Sequence, residues 1–178
     1  MPAPAAGQAA QRLSHEGRHR YLVIPFVEDP TPSIAVPDAP TVSELTSAEA
    51  FDVSKYCPKN WLTGEPTENT VPNDDVTETY DAMDVGSWSE SLTAEMYMQD
   101  PDNNAFDYFS YGDTFWIVDL YTNLLGADPV QGDPAIVRLC RSHEPKPLVF
   151  TSNEKQRFRM GLAVIQAPAY KAIVASGV

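Results

Sequence analysis

The sequence predicts a mainly β protein: a rolled β-sandwich or barrel with one or two short helices and an extended N-terminal arm. Three observations carry this. Ser87 to Gln99 alternates between an apolar and a polar side, six or seven short apolar runs are separated by turn-rich loops, and 16 prolines against 9 glycines favour extended joints over long helix. The 178 residues are 43% hydrophobic and 21% charged, enough to bury a core without disulfides or metals and too apolar for wholesale disorder.

Residues 1–40 read as the arm. Met1 to Arg20 is rich in Ala, Gln and Arg, has no periodic apolar face, and is followed by no apolar core of the length a targeting signal needs. Pro30, Pro32, Pro37 and Pro40 force extended chain. Between these stretches, Tyr21-Leu-Val-Ile-Pro-Phe-Val27 is too apolar to lie free in water. It predicts an edge strand, where Pro25 is tolerated.

From Thr41 to Val178 a single sandwich domain is expected. Thr41 to Ala50 predicts a short helix or turn, Phe51 to Cys57 a strand, Lys59 to Asp75 a long polar loop, and Val76 to Val85 another strand. In the alternating stretch, Trp88, Leu92, Ala94, Met96 and Met98 fall on the buried side. Ser87, Ser89, Ser91, Thr93, Glu95, Tyr97 and Gln99 fall on the wet side, and Glu90 is the one misfit among the apolar positions. Such a strand belongs to an antiparallel sheet with one side in water. Asp100-Pro-Asp-Asn-Asn104 is a turn and a helix start together. Ala105 to Tyr111 then gives at most two turns of helix, with Phe106, Tyr108 and Phe109 expected in the core and Gly112 closing it. Thr114 to Tyr121, Ala135 to Ser142, Lys155 to Ala167 and Tyr170 to Ser176 read as strands. A turn-rich acidic loop lies at Gly126 to Pro134, and Glu144 to Pro147 is a break.

The formal charge is −13. Residues 38–133 carry −18, residues 134–178 carry +5, and residues 1–37 balance. A chain this acidic is not built to wrap a nucleic-acid backbone or to dock on an anionic membrane. The longest suggestive apolar run, Tyr21 to Val27, is far short of the roughly 20 residues that cross a bilayer. The acidic centre and basic C-terminal quarter fit either an uneven solvated surface or a molecule that meets copies of itself.

Catalytic chemistry finds little support. Asp74-Asp75 and the Asp100/Asp102 pair sit in polar loops, where neighbouring carboxylates rarely acquire the split pKa values that acid–base catalysis needs. The Asp100 segment lacks the spacing and terminal Glu of a calcium loop. There is no Gly-rich phosphate loop and no Gly-x-Ser-x-Gly elbow, so no catalytic residue and no cofactor are expected. His15 and His19 stand four apart in the arm and His143 is alone beside Glu144, so no metal site is expected. Cys57 and Cys140 allow one bridge or two free thiols packed as small apolar groups. Arg157 and Arg159, alternating with Phe158 and Met160, read as an interface or salt-bridged face.

Taken in order, these pieces resemble the major tail tube proteins of long, flexible-tailed (siphovirus-type) bacteriophages, in particular those infecting actinobacteria. The likeness starts at Pro40-Thr-Val-Ser-Glu-Leu45 and continues through the strand ending at Cys57 and the loop around Thr70-Val-Pro-Asn-Asp-Asp75. It includes Ser89-Glu-Ser-Leu-Thr-Ala-Glu-Met96, the short helix within Asn103 to Gly112 and Phe115-Trp-Ile-Val118. It closes with Glu154-Lys-Gln-Arg-Phe-Arg-Met160 through Ala172-Ile-Val-Ala-Ser176. The resemblance implies a structural virion protein, assembled in the bacterial host cytoplasm and located in the phage tail. Six copies would form a ring, and rings would stack helically into a hollow tube alongside other tail proteins. Genomic DNA would pass through it without specific binding, and no enzyme activity, cofactor or membrane partner is implied. A different class of function, a monomeric β-sandwich module binding sugars or peptides, would gather Trp61, Tyr108, Tyr111 and Trp116 at one rim.

Within the tube reading, Ser87, Ser89, Ser91, Thr93, Glu95 and Tyr97 are expected to line the lumen. Tyr21, Leu22, Val23, Ile24 and Phe26 are expected to pack on a neighbouring subunit. Arg138, Arg141, Arg157 and Arg159 are expected to face the acidic loops Lys59 to Asp75 and Gly126 to Asp133 of the next ring.

Overall fold

The computed structural model describes residues 19–28, 32–64, 66–73, 82–98, 105–121, 127–149 and 155–176. Expectations for residues 1–18, 76–81 and 100–104 lie outside the described residues. The strands are β1 (Arg20–Pro25), β2 (Phe51–Asp52), β3 (Leu62–Thr63), β4 (Pro66–Asn73), β5 (Ala82–Tyr97), β6 (Thr114–Leu120), β7 (Pro134–Ser142), β8 (Lys146–Pro147), β9 (Arg157–Val164) and β10 (Ala169–Ile173). Two single-turn helices, α1 (Val42–Leu45) and α2 (Ala105–Tyr108), and a 3-10 turn at Ser54–Tyr56 complete the elements among the described residues. The mainly β expectation holds.

The strands run in the order β2-β1-β6-β7-β9-β5-β3, all antiparallel, with β10 on β7, β4 on β5 and β8 on β9. One long edge of β7 is shared. Its first half pairs with β10 (Val137↔Ala169, Ala135↔Ala172) and its last residues pair with β9 (Cys140↔Val164, Ser142↔Leu162). The sheet therefore forks at β7, and the two branches let it roll.

Side chains alternate along the strands, so rolling produces two cores. Val23, Phe115, Ile117 and Cys140 meet Leu92, Ala94, Met96, Phe158, Met160 and Leu162 on one side, closed by Val53, Tyr56, Trp61 and Phe109. On the other, Leu22, Ile24, Trp116, Val118, Leu120, Val137 and Leu139 meet Ala169, Ala172 and Val174 under Ile34 and Leu45. β6 serves both, which is why Thr114 to Tyr121 reads as a nearly continuous apolar run rather than an alternating one.

The N-terminal strand differs from its expectation. β1 pairs with β6 over six residues and with β2 over two. Leu22, Val23 and Ile24 are each 1% exposed, buried in the chain's own cores. Burying them within the chain removes the same apolar area that a partner would have removed. β1 thus lies in the same sheet as the strands that follow Thr41. β1 lies one strand in from the edge expected, since β2 pairs with Leu22 and Val23; Pro25 lies beyond that pairing, opposite Phe115 of β6.

The proline-bearing stretch that follows is tied down. Thr41 and Glu44 form a capping box on α1, with Thr41 Oγ1 accepting from Glu44 N at 3.3 Å and Glu44 Oε2 from Thr41 N at 2.7 Å. The second carboxylate oxygen of Glu44 accepts from Ala35 N at 2.9 Å. That bond seats Ile34 on the second core.

Smaller differences follow from pairing. The expected strand at Phe51 to Cys57 is two residues long, because Val53 turns inward and the 3-10 turn begins at Ser54. The expected break at Glu144 to Pro147 holds the short β8, and β9 ends at Val164, short of Ala167. Cys57 and Cys140 are both free thiols.

Candidate assembly surface

The expected loop Lys59 to Asp75 contains β3 and β4, which lie along β5 in one register: Leu62↔Ala94, Thr63↔Thr93, then Pro66↔Glu90 and Thr67↔Ser89. Gly64 sits between them, where a Cβ would come 2.4 Å from the Ser91 carbonyl oxygen, so only glycine permits this approach. Beyond Glu90 the character of β5 changes. β9 reaches only to the Ser91↔Ala163 pair, and from Ser89 back to Ala82 the partner is β4. The hairpin leaves the sheet as a two-stranded ribbon. Pro66 and Pro72 hid this strand in the sequence, although edge positions tolerate both.

Residues Glu90 to Tyr97 of β5 are amphipathic as expected. Leu92, Ala94 and Met96 are buried, Ser89 and Ser91 are exposed, and Thr93, Glu95 and Tyr97 are half-buried. Ser87 lies in the ribbon, in a stretch whose side chains are outside the description.

Register sets what shares the polar face. Ser91 lies opposite Ala163, Thr93 opposite Gly161, Glu95 opposite Arg159 and Tyr97 opposite Arg157; Ala163 in turn faces Arg141, and Arg159 faces Lys146. Glu95 accepts from Arg157 Nη1 at 3.0 Å and from Arg159 Nη2 at 3.1 Å. The Arg157 hydrogen bond is the main cause that holds the Glu95 carboxyl below its ordinary range; desolvation opposes it and Arg159 adds to it. Lys155 Nζ and the Arg157 guanidinium lie 5.2 and 5.4 Å from the Tyr97 ring centroid.

This changes two expectations. Arg157 and Arg159 stand on the same face as Ser91 to Tyr97, so the expected lumen set and these inter-ring residues are one surface, not two. Their charge is already engaged by Glu95. Arg138 is half-buried and faces Glu90 inside the chain. Arg141 is exposed, with its Nε 3.3 Å from Thr114 Oγ1. Of the apolar N-terminal residues, Phe26 remains outside at 37% exposure beside Val27 at 38%.

A depression of about 230 Å³ opens at Tyr111, Gly112, Arg141, Ser142, His143 and Ala163. Among the described residues no group of three or more His, Cys, Asp and Glu side chains is placed to hold a metal ion. The aromatic rim that a ligand-binding module needs is not formed. Trp61 is buried in the first core and Trp116 in the second, leaving only Tyr108 and Tyr111 of the four at the surface. Burial raises the Cys140 thiol to about 12 and pushes the Cys57 thiol up as well. Burial disfavours the thiolate at both positions.

Sequence reasoning missed the ribbon and the partners of Glu90. The signal for the second was present, because one acid on an otherwise apolar face requires a buried counter-charge.

A family model described as phage tail tube protein matches residues 8–177. Among solved structures, a chain of the anti-feeding prophage baseplate, from a 6-fold symmetrised cryo-EM structure, shares the fold. It has a TM-score of 0.51 and 14% identity, with 100% of both chains covered. A chain from the tail of an empty GTA particle, refined helically with C6 symmetry, aligns with a TM-score of 0.45 and 10% identity over 71% of this chain and 89% of its own. No curated protein matches the sequence closely enough to count as a relative.

Proposed function

This chain belongs to the phage tail tube protein family, and we propose that it is the repeating subunit of the tube itself: six copies close a ring, rings stack helically, and genomic DNA passes through the bore. It is a structural protein of the phage tail. The carrying observation is β5, whose Ser89 to Tyr97 side is polar over a buried apolar side and whose other half leaves the sheet as a paired ribbon.

In this reading Ser87, Ser89, Ser91, Thr93, Glu95 and Tyr97 line the lumen, with Gly161 and Ala163 between them. Small and hydroxyl side chains give passing phosphates little to hold. Bare guanidinium groups would bind them and slow transit. Glu95, bonded to both Arg157 and Arg159, mutes that attraction. Contact between rings falls to the ribbon and to Arg141, with the acidic segment ending at Asp133 on the opposing side. Phe26 and Val27, just past the end of β1, are among the exposed apolar residues offered for contact between copies. Lateral closure also removes exposed sheet edges, which otherwise pair indiscriminately. A flexible-tailed phage of actinobacteria, with assembly in the host cytoplasm, is the setting this reading carries.

Electron microscopy of the purified protein at rising concentration tests it. Hollow tubes are expected, in which a Ser91→Cys thiol reacts with a small maleimide but not with one too large for the bore. A monodisperse monomer at every concentration, or equal labelling by both reagents, overturns the reading.

A further inference from the structure

Glu90 is 6% exposed on the buried side of β5. Its Oε2 accepts from the Tyr170 hydroxyl at 3.1 Å, and its Oε1 lies 3.7 Å from Arg138 Nε. The Arg138 guanidinium lies 5.4 Å from the Tyr170 ring centroid. Arg138 Nε is buried without a hydrogen bond, so the Glu90 carboxylate is the charge that compensates it.

The positions of these residues are what give the cluster meaning. Glu90 is the residue of β5 just beyond its last pair with β9 and the first paired with β4. Arg138 occupies β7 between its pairing with β10, which ends at Val137, and its pairing with β9, which begins at Cys140. Tyr170 is on β10. The root of the ribbon is thus joined to the fork of the sheet by an ion pair and a hydrogen bond.

We infer that Glu90, Arg138 and Tyr170 are positioning residues that fix the direction in which the β4–β5 ribbon leaves the sheet. Apolar packing is non-directional and accommodates a range of ribbon angles. A buried carboxylate does not, because its hydrogen bond is directional and its charge is costly wherever Arg138 is out of reach. Holding one geometry is the best-attested use of a buried ionic group. The consequence for assembly rests on the reading that the ribbon contacts other copies. The positioning itself does not.

Hydrogen exchange on the full-length protein at a concentration below assembly tests the inference, together with the onset concentration of tubes. In Glu90→Gln, amides at residues 67–68 and 88–90 are expected to exchange about tenfold faster while those of β6 keep their protection, because the loss is local. The double variant Glu90→Leu/Arg138→Met leaves no buried charge. It is expected to melt as the natural protein does, yet to keep the fast-exchanging ribbon root and assemble only at about tenfold higher concentration. It also supplies the measurement if Glu90→Gln does not fold. Unchanged exchange at the root, or equal acceleration throughout β6, overturns the inference. A loosened root with normal assembly supports the positioning role and overturns the ribbon-contact reading instead.

Discussion

Two segments of this chain carry opposite surprises. β1, set among prolines in an arm-like N-terminus, is built into the sheet, whereas the hairpin of β4 and β5, part of it a polar loop by sequence, stands off the sheet as a ribbon. Apolar content explains the contrast. Leu22, Val23 and Ile24 alternate between two cores, and each offers more to the interior than to water. Pro66-Thr-Glu-Asn-Thr-Val-Pro-Asn73 has a single aliphatic residue and two prolines, so by composition it offers little to an interior, and its backbone pairs with one partner, β5. An element that contributes little to the core is free to serve contacts outside it.

The comparison breaks first at β1. Removing residues 1–25 deletes three buried side chains worth about 1.5–3 kcal/mol each from a domain whose whole stability is of order 5–15 kcal/mol. Circular dichroism on heating should show no cooperative transition. A folded, soluble truncation would return β1 to the role of an arm.

Gly64 gives the next largest effect, because it joins the sheet-bound and free parts of the hairpin. Gly64→Ala places a methyl against the Ser91 carbonyl and the Leu92 side chain, and overpacking of this kind costs about 1–3 kcal/mol. Urea melts should register the loss with an unchanged m-value. No loss would mean that the hairpin shifts freely at this point.

A smaller term comes from the polar face. Glu95→Gln weakens two partly exposed ion pairs and should cost about 0–1 kcal/mol at pH 7. The folded carboxyl titrates below its ordinary value near 4.5, so its contribution is full above that pH and is lost as pH falls through the lowered folded value. Melting temperatures of the natural protein and the variant should therefore differ at neutral pH and converge in acid. A gap that widens in acid would reverse the sign and refute the pairing.

The smallest shift in melting belongs to the ribbon. Replacing residues 69–87 by an Asn-Gly turn, which keeps Glu68 opposite Trp88, should move the melting temperature by no more than about 4 °C, while tube formation is abolished. A large destabilisation would show that the ribbon is part of the folded core, and normal tubes would remove it from the assembly surface.

Much of this molecule was legible without coordinates. Strict alternation from Ser91 to Tyr97 announced one buried and one wet side, and Thr114 to Tyr121 read as a strand, which the fold covers on both faces. The short helix or turn read at Thr41 to Ala50 is α1, held at its start by the Thr41–Glu44 capping box. Pro25, Pro66 and Pro72 were harder to read. Proline marks positions where a ladder hydrogen bond is not needed, which is equally true of a loop, an arm and an edge strand.

Residue pattern alone set the class of fold, the two-sidedness of β5 and the anomaly at Glu90, since these depend on periodicity and on the cost of an unpaired charge. Long-range pairing set the rest. That β1 finds β6, that β7 divides its edge between β9 and β10, that Arg157 and Arg159 share a face with Glu95, and that Arg138 and Tyr170 answer Glu90 all join residues tens of positions apart. A periodic pattern says which side of a strand is buried. Which strand lies beside it is decided by how all the buried sides fill one interior at once.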